Sequence, residues 1–381
     1  MNISNFEKCS HCGACYNICP MDAISVRADG LFYVPEVDVG KCIDCSLCAR
    51  VCPVNQEFEG RKPISAYGGW HKDGGVVLDS SSGGVFYGLA QAVLEAGGAV
   101  FAAVYGNDCK TVEFASSDDI PLQNMLRSKY VESLVGDSFR RVKEALTDGR
   151  QVLFCGTPCQ VAGLHRYLGR EYDSLLTCDF ACGGLPSHAI YQAYLNDLEK
   201  KYRAPVQSVN FRPKTHGWKR YAIRVNFQNG KEHLRLGSED PYLNSFLHGK
   251  LSVRDYCHEC KFPECHASDI TVADFWLHEK LSSLRHEDGI SLILCNSPKG
   301  EQAVRALRNS FELTELNVEK ASYNNRVQVS EKKKNKRDAF LLRYEEKGLQ
   351  AAYDEFLPRS PKVKAKNWVI RKLFRKRKGS S

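Results

Sequence analysis

The sequence lacks long apolar runs. No stretch of about 18 apolar residues occurs, which is roughly the length that a membrane-spanning helix requires. The opening segment MNISNFEKCSHCGAC also lacks the apolar core of a secretory signal peptide. We therefore expect a protein that neither spans a membrane nor is exported, and we predict a cytoplasmic location.

An excess of basic charge is also missing from most of the chain. The formal net charge is +8, but nine of the 53 Lys and Arg residues lie beyond residue 360, where no acidic residue occurs. The preceding part therefore has nearly equal numbers of acidic and basic side chains. Nucleic-acid-binding proteins carry a basic stripe on a folded surface, so this distribution predicts no nucleic-acid partner.

Cysteine, in contrast, is abundant, with 17 among 381 residues. Eight of them form two copies of the pattern C-x2-C-x2-C-x3-C-P, which is the ligand run of a bacterial two-cluster ferredoxin. In such proteins the fourth cysteine of each run binds the other cluster. The predicted ligands of the first [4Fe–4S] cluster are Cys9, Cys12, Cys15 and Cys52. Those of the second [4Fe–4S] cluster are Cys42, Cys45, Cys48 and Cys19.

The residues around the two runs support this interpretation. Gly13 and Ser46 are small where the backbone wraps close to a cluster, and we expect the fourth cysteine of each run to begin a short helix that points away. Asp29-Gly30 predicts a hairpin that returns the second run to the first. The alternatives are a disulfide framework or a zinc site, although zinc favours two C-x2-C pairs without a third cysteine and a proline. Free thiolates imply a reducing compartment.

Beyond the two runs, strands alternate with helices, and antiparallel strands follow. This pattern predicts a mixed α/β or α+β protein, with a small two-cluster ferredoxin-like domain followed by a larger mixed-sheet domain. We place the ferredoxin-type domain at residues 1–60. The core would then have an N-terminal part at 66–200 and a C-terminal part with a C-x2-C pair at 201–320. A helical and basic amphipathic tail would occupy residues 331–381.

A turn of small residues precedes a predicted helix. The segment SSSGG at residues 80–84 is followed by VFYGLAQAVLEAGG, in which apolar residues recur at helical spacing. Hydroxyls and free backbone N–H groups at a helix start form an anion site that suits a phosphate or pyrophosphate. The alternative is an ordinary capped helix with a flexible lead-in, and the residues alone do not decide between the two.

Four further cysteines have a metal-binding pattern. Cys159 and Cys182 follow two neighbouring strands at their carboxyl ends, where open sheets place their sites. Together with the pair Cys257 and Cys260 they supply four thiolates, enough for a third [4Fe–4S] cluster. The alternative is a zinc site formed by Cys257, Cys260, Cys265 and His266.

As a set, these segments resemble the coenzyme F-420 hydrogenase/dehydrogenase beta-subunit family. The resemblance is carried by SSSGG before a helix, FCGTPCQVAGL at 154–164, DFACGGLPS at 179–187, and the C-x2-C pair leading into SDITVADFW at 268–276. It implies that the larger domain binds FAD beside a [4Fe–4S] cluster. The core ligands it implies are Cys159, Cys182, Cys257 and Cys260. It does not by itself predict that deazaflavin is used.

The resemblance also implies a flavin site. Ser81, Ser82, Gly83 and Gly84 match the Ser/Gly turn of the family and would hold FAD phosphate. Lys129 matches a further family segment and would stabilise the charge of reduced flavin, with a surface lysine as the alternative.

Two other positions bear on the resemblance. The family often has Cys-His-Gly where this chain has Cys182-Gly183-Gly184, so the ligand is kept but a neighbouring histidine is missing. Asp274 would either bond the flavin or tie down the end of a strand. No catalytic acid or base stands out among the 11 histidines, so the catalytic residues are not identified.

The expected function is that of an iron–sulfur flavoprotein oxidoreductase. Electrons would pass from the ferredoxin-type clusters through the core cluster to FAD and on to a small organic substrate, with surface polysaccharide synthesis as one setting. The alternative is an electron-transfer subunit that docks on a larger oxidoreductase and has no substrate of its own. Both functions require a redox partner protein. The basic segment KVKAKNWVIRKLFRKRKGSS predicts peripheral contact with the inner face of the membrane, with a solubilising tail as the alternative.

Overall fold

A computed structural model of the protein describes residues 8–56, 59–262, 265–323 and 335–357. The strands are β1 Ile24–Asp29, β2 Phe32–Val37, β3 Ser65–His71, β4 Ala99–Tyr105, β5 Val112–Ser116, β6 Val152–Cys155, β7 Leu175–Phe180, β8 Val206–Asn210, β9 Ala222–Phe227, β10 Glu232–Leu236, β11 Ile270–Asp274, β12 Ser291–Cys295 and β13 Phe311–Leu316. The α-helices are α1 Ala14–Ile18, α2 Leu47–Val51, α3 Gly74–Asp79, α4 Val85–Glu95, α5 Leu122–Met125, α6 Ser138–Thr147, α7 Pro158–Leu168, α8 His188–Tyr202, α9 Pro241–Leu247, α10 His278–Leu281, α11 Pro298–Ala306, α12 Val318–Tyr323 and α13 Arg337–Phe356.

An eight-stranded mixed sheet organises the larger part of the molecule. Its strand order is β13-β3-β12-β11-β7-β6-β4-β5. The four strands β11, β7, β6 and β4 are mutually parallel, whereas the strands on either side of them pair antiparallel. The mixed sheet that the sequence predicts is therefore confirmed.

Both faces of the parallel strands are buried under helices. In β6, Phe154 packs into a cluster with Phe139 of α6 and Leu164 of α7, whereas Leu153 packs on the opposite face with Leu89 of α4. Consecutive residues of a strand point to opposite faces, so a strand covered on both sides must be apolar throughout. This explains the uninterrupted apolar run VLFC in β6.

A second, three-stranded antiparallel sheet has the order β10-β9-β8. The hairpin of β9 and β10 turns at Gly230, whose φ of 78° favours glycine. This sheet shares a core with α8, α9 and α13, to which Phe340 and Leu349 of α13 contribute. The predicted basic tail that follows α13 lies outside the described residues.

The N-terminal segment contains the predicted hairpin, formed by β1 and β2. One expectation is wrong, because the short helices α1 and α2 end at Cys19 and Cys52 rather than begin there. Each helix starts directly after a residue with left-handed backbone, Gly13 in α1 and Ser46 in α2. Each helix ends at a cysteine because the proline that follows disfavours helical backbone at the residue before it. The fourth cysteine of each run is therefore presented by a helix C-terminus.

This N-terminal segment is attached to the body by polar contacts. Arg140 of α6 donates to the carbonyl oxygens of Asn17 and Tyr16 at 2.9 and 3.0 Å. Arg61, between the predicted ferredoxin-type domain and the core, pairs with Asp269 at 3.0 Å and Glu171 at 2.9 Å. Separately, within the described ranges the chain forms no helix with the length and apolar character needed to cross a bilayer.

Candidate iron–sulfur and cofactor site

Three cysteines of the first group lie in or just before helix α1, and Cys52 follows α2, which packs against α1. Burial raises the pKa of the Cys12 thiol to about 12, and the nearby Cys52 and Cys9 contribute to the rise. Burial also raises the pKa of Cys15, with additional effects from the other three thiols. The structure thus brings together Cys9, Cys12, Cys15 and Cys52, the four residues that the sequence predicts for the first cluster.

The second group is more open to solvent. Cys42 and Cys45 are exposed, whereas Cys48 and Cys19 are partly buried. Burial raises the pKa of Cys48, and the charges of Cys45 and Cys19 add to it. The last cysteine of the first run therefore lies with cysteines of the second run, as the ferredoxin pattern predicts.

The third group is assembled from three separate segments of the body. Cys159 lies in the first turn of α7, Cys182 follows β7, and Cys257 and Cys260 lie in and after a short 3-10 turn. Burial raises the pKa of Cys159, and Cys260 and Cys182 are the next contributors. Burial likewise raises the pKa of Cys257, followed by effects of Cys182 and Cys260. The four residues predicted for the core cluster are therefore neighbours.

Local structure explains how these thiols are held. Thr157 caps α7, its N–H donating to Gln160 Oε1 at 2.9 Å, and its hydroxyl lies 3.1 Å from Cys159 Sγ. The main-chain N–H of Leu185 donates to Cys257 Sγ at 3.3 Å. Gly184 has a φ of 103°, and a Cβ there would lie 3.2 Å from the Cβ of Cys257. The Cys182-Gly-Gly turn therefore requires glycine where it approaches Cys257.

The first and third groups lie close to each other. Cys159 Sγ lies 3.5 Å from the carbonyl oxygen of Ser10, and Cys12 is among the groups that raise the pKa of Cys159 after burial. Helix α7 thus presents Cys159 directly to the N-terminal cysteine loop. A redox path from the first group into the body would be short.

The chemistry of the donor sets fits iron–sulfur clusters. Burial holds the thiols of the first and third groups protonated, so forming thiolates there without a metal would be unfavourable. Bound iron replaces these protons and compensates the thiolate charge. No three described His, Cys, Asp or Glu side chains form a group that could hold a single metal ion. A [4Fe–4S] cluster instead takes its four thiolates on different iron atoms.

That result also bears on the zinc alternative. His266 is buried, and its Nδ1 lies 3.0 Å from the hydroxyl of Thr271. Cys265 packs against Gly60, and a Cβ added at Gly60 would lie 2.3 Å from the Cβ of Cys265. As described, Cys257, Cys260, Cys265 and His266 do not form a zinc site.

A cavity of about 500 Å³ joins the two predicted sites of the body. This volume is typical of small-molecule and cofactor sites. Its lining includes all four cysteines of the third group together with Ser81, Ser82, Gly84 and Lys129. Residues predicted separately for a cluster and for a flavin therefore face one space.

The Ser/Gly turn is held by its own polar groups. The Ser81 hydroxyl accepts from the N–H of Ser128 at 2.8 Å, and the Ser82 hydroxyl donates to the carbonyl oxygen of Ile290 at 2.9 Å. The N–H of Gly83 donates to the Ser291 hydroxyl at 2.9 Å. A Cβ at residue 83 would lie 2.4 Å from the carbonyl oxygen of Gly69. Gly83 therefore shapes the turn by close packing, while its neighbours line the cavity.

Two lysines lie beside this turn. Lys129 Nζ donates to the carbonyl oxygens of Met125, Leu126 and Arg127 at 3.0 to 3.3 Å, and burial lowers its pKa to about 7. It is partly buried, which disfavours the alternative of a surface lysine. Lys214 donates to the carbonyl oxygen of Ser82 at 2.9 Å, and burial lowers its pKa to about 7 as well. Lys214 was not predicted, because an isolated lysine in a loop has no sequence pattern.

Asp274 ends β11 at the cavity wall. Its carboxylate accepts from Arg212 at 2.7 and 3.2 Å and from Trp218 Nε1 at 2.8 Å. The Arg212 guanidinium lies 4.4 Å from the centre of the Tyr221 ring, and Trp218 stacks on Trp276 at 4.8 Å. Of the two roles considered for Asp274, these contacts support anchoring of the strand end and of an aromatic wall.

One buried polar network could not be found from the sequence. Glu132 accepts from Arg254 at 2.9 Å and lies 2.7 Å from His188 Nδ1, and all three side chains are buried. Burial alone would raise the pKa of Glu132, but the hydrogen bond with His188 and the charge of Arg254 lower it overall. These residues are far apart in sequence and match no motif.

Ferredoxin-type cysteine runs beside a mixed-sheet body with a cysteine-lined cavity define an iron–sulfur protein of the electron-transferring oxidoreductases. Residues 149–321 match the family of the C terminus of the coenzyme F420 hydrogenase/dehydrogenase beta subunit, and residues 8–56 match the "4Fe-4S dicluster domain". Residues 149–321 therefore belong to the coenzyme F420 hydrogenase/dehydrogenase beta-subunit family, and residues 8–56 belong to a dicluster domain.

One solved structure is similar over much of the chain. It is that of the F420-reducing [NiFe] hydrogenase complex from Methanosarcina barkeri, with 15% identity and a TM-score of 0.44 over 78% of this chain and 99% of that one. No curated protein matches the chain significantly.

Proposed function

We propose that this protein is an iron–sulfur flavoprotein oxidoreductase that transfers electrons between a redox partner protein and a small organic substrate. The observation that carries the proposal is the shared cavity. Four cysteines from three separate segments line it together with Ser81, Ser82 and Gly84. A protein that only carried electrons between clusters would not need a cavity of about 500 Å³ beside the third cysteine group.

Each predicted group has residues that would hold it. The eight cysteines of the N-terminal runs would bind two [4Fe–4S] clusters, and Cys159, Cys182, Cys257 and Cys260 would bind a third. FAD would lie in the cavity near the Ser/Gly turn, and when bound it would supply hydride and single-electron chemistry. Lys129 would place a proton-carrying ammonium at the cavity wall, close to the turn.

Differences in burial indicate the order of the three cysteine groups from the protein surface to the cavity. The second group is exposed at Cys42 and Cys45, whereas the first is enclosed and lies next to Cys159. The arrangement from surface to cavity is therefore second group, first group, third group. A redox partner would dock at the second group, where Val39 and Ile43 are 86% and 60% exposed.

The cavity wall suits an organic molecule. Tyr221, Trp276 and Phe246 provide aromatic surface, and Lys250 and Asp274 provide charge of both signs. These residues are compatible with many small substrates, and precursors of surface polysaccharides enter the proposal only through the family resemblance.

Anaerobic purification followed by iron and flavin analysis tests the proposal. Three clusters and one cofactor correspond to about twelve irons and one flavin per chain. The proposal fails if the freshly purified protein contains no flavin and cannot bind added FAD. Substitution of Gly83 by Val should abolish flavin retention while leaving iron bound to the N-terminal runs, since a side chain there would collide with Gly69.

A second candidate is an electron-transfer subunit that docks on a larger oxidoreductase and has no substrate of its own. The exposed apolar side chains beside Cys42 and Cys45 favour it, because they suit a protein partner. This candidate predicts about eight irons and no flavin, so the same measurement separates the two.

A further inference from the structure

A buried ion pair lies between the N-terminal segment and the third cysteine group. Arg254 precedes Cys257 by three residues, and the residue is 4% exposed. Its Nη2 donates to Glu132 Oε2 at 2.9 Å, while Glu132 has no exposed side-chain surface. Leu185 accepts from the main-chain N–H of Arg254 at 2.9 Å. The arginine is therefore fixed in place by both its backbone and its side chain.

Both members of the ion pair bind the main chain of Tyr33 in the N-terminal hairpin. Arg254 Nη2 donates to the carbonyl oxygen of Tyr33 at 2.5 Å, and the Tyr33 N–H donates to Glu132 Oε1 at 3.2 Å. The Tyr33 ring stacks on His188 with the ring centres 3.7 Å apart, and it stacks on His11 at 5.9 Å. Both main-chain groups of Tyr33 are thus held by the same pair of charges.

Arg254 lies next to both cysteine groups. The Tyr33 residue that it binds stacks on His11, whose main-chain N–H donates to Cys9 Sγ at 3.3 Å. On the other side, the main-chain N–H of Cys257 donates to the carbonyl oxygen of Arg254 at 3.0 Å. The Nε–H of Arg254 is buried and has no acceptor among the described residues. A buried donor of this kind needs a partner that the protein itself does not supply, either an ordered water or an anionic group.

We propose that Arg254 is a positioning residue that both holds the dicluster domain on the body and raises the reduction potential of the first cluster, with Glu132 as its opposing charge. This inference rests on the proposed function, since it requires Cys9 to be a cluster ligand. Reduction adds one negative charge to a cluster, and a fixed cation in a low-dielectric surrounding favours that state. Arg254 lies between the first and third cysteine groups. Its charge would therefore stabilise the reduced first cluster, from which electrons would pass into the body.

The proposal predicts opposite effects for the two charges. Arg254→Met should lower the midpoint potential of the first cluster, with the ratio of reduced to oxidised cluster falling about tenfold at a fixed potential, or about 59 mV for one electron. Glu132→Gln should raise the midpoint potential, because it removes the negative charge and keeps the side-chain shape. Arg254→Lys should remain closer to the unsubstituted protein than Arg254→Met.

Arg337 provides a matched control. It is as buried as Arg254, and it donates to the carbonyl oxygen of Val253 at 2.8 Å and pairs with Asp255 at 3.0 Å. It therefore supports the same short segment, but its guanidinium binds Val253 and Asp255, whereas that of Arg254 binds Glu132 and Tyr33 of the hairpin. Arg337→Met should leave the midpoint potential of the first cluster unchanged.

The experiment is an anaerobic redox titration of the full chain, followed by electron paramagnetic resonance, with iron counted in each variant. Opposite shifts in Arg254→Met and Glu132→Gln support the proposal. Unchanged potentials in both variants with full iron content overturn it and leave the proposed function intact. If Arg254→Met does not retain iron, the sign of the shift in Glu132→Gln decides. An unsubstituted protein without the first cluster overturns the proposed function and this inference together.

Discussion

Gly163 of helix α7 lies directly against Cys12 of the N-terminal cysteine loop. A Cβ at position 163 would lie 3.0 Å from the Cβ of Cys12 and 3.1 Å from its Sγ. The absence of a side chain at this position is what allows the loop to approach the helix that carries Cys159. The distance between the first and third cysteine groups therefore depends on a glycine in the body of the protein.

Gly163→Ala is predicted to disturb this approach. The added methyl group would have to displace either the loop or the helix, at a cost of about 1–3 kcal/mol in the free energy of unfolding. We expect a lower iron content and slower electron transfer from the first cluster. Iron analysis, chemical denaturation and stopped-flow reduction would measure these effects.

Gly74 provides the control for this substitution. It lies at the start of α3, and a Cβ there would meet nothing within 4 Å. Gly74→Ala should leave iron content and electron transfer unchanged. If Gly163→Ala also leaves iron content, stability and electron transfer unchanged, the first and third cysteine groups need not be this close.

Cys159→Ser is predicted to remove the third cluster selectively. Its thiol is buried among Cys182 and Cys260, and a hydroxyl is a poor replacement for a thiolate ligand. The iron content should fall by about four per chain, with the signals of the two N-terminal clusters retained.

Cys155→Ser is the matched comparison for Cys159→Ser. Cys155 also lines the cavity, but it ends β6 and was not assigned to a cluster. Full iron content in this variant, together with the loss in Cys159→Ser, would support the assignment. Equal iron in both variants would contradict the third cluster.

Lys129→Met is predicted to change how stability depends on pH. Burial lowers the pKa of Lys129 to about 7, whereas a lysine in the unfolded chain titrates near 10.4. Between these values the unfolded chain binds more protons, so this lysine makes the free energy of unfolding rise with pH, by at most about 1.4 kcal/mol per pH unit. Below pH 7 both states are protonated and the contribution to the slope vanishes.

Urea denaturation at a series of pH values between 7 and 9.5 would detect this difference. The increase in stability should be smaller in Lys129→Met than in the unsubstituted protein, whereas the exposed Lys200→Met should keep the full increase. If the free energy of unfolding depends on pH in the same way in all three proteins, the surroundings of Lys129 do not favour its uncharged form.

Deletion of residues 361–381 is predicted to weaken membrane contact. This segment carries nine basic residues and no acidic residue, and each cation near an anionic leaflet contributes about 1 kcal/mol. The full chain should float with vesicles that contain phosphatidylserine and not with neutral vesicles. Equal flotation of the full and shortened chains would exclude this role and leave the segment as a solubilising tail.

Much of the fold followed from local patterns. The hairpin between the cysteine runs, the helices of the body and the mixed character of the sheet were all predicted, because turn residues and apolar periodicity act over a few residues. The short helices at Cys19 and Cys52 were placed on the wrong side of the cysteine. Their start depends on left-handed backbone at Gly13 and Ser46, and Ser46 is not a residue type that usually marks such a position.

The amino-acid order alone identified which cysteines belong together, because ligand spacing within a run is a local property and a doubled run is specific. It also indicated the cofactor classes and the family. Only the tertiary structure decided which cysteine groups lie next to each other, that residues predicted for two sites line one cavity, and that Arg254 and Glu132 meet at Tyr33. Those relationships join residues as many as 221 positions apart in the chain, and they exist because burying the sheet, the helices and the N-terminal hairpin together brings their charges and thiols into contact.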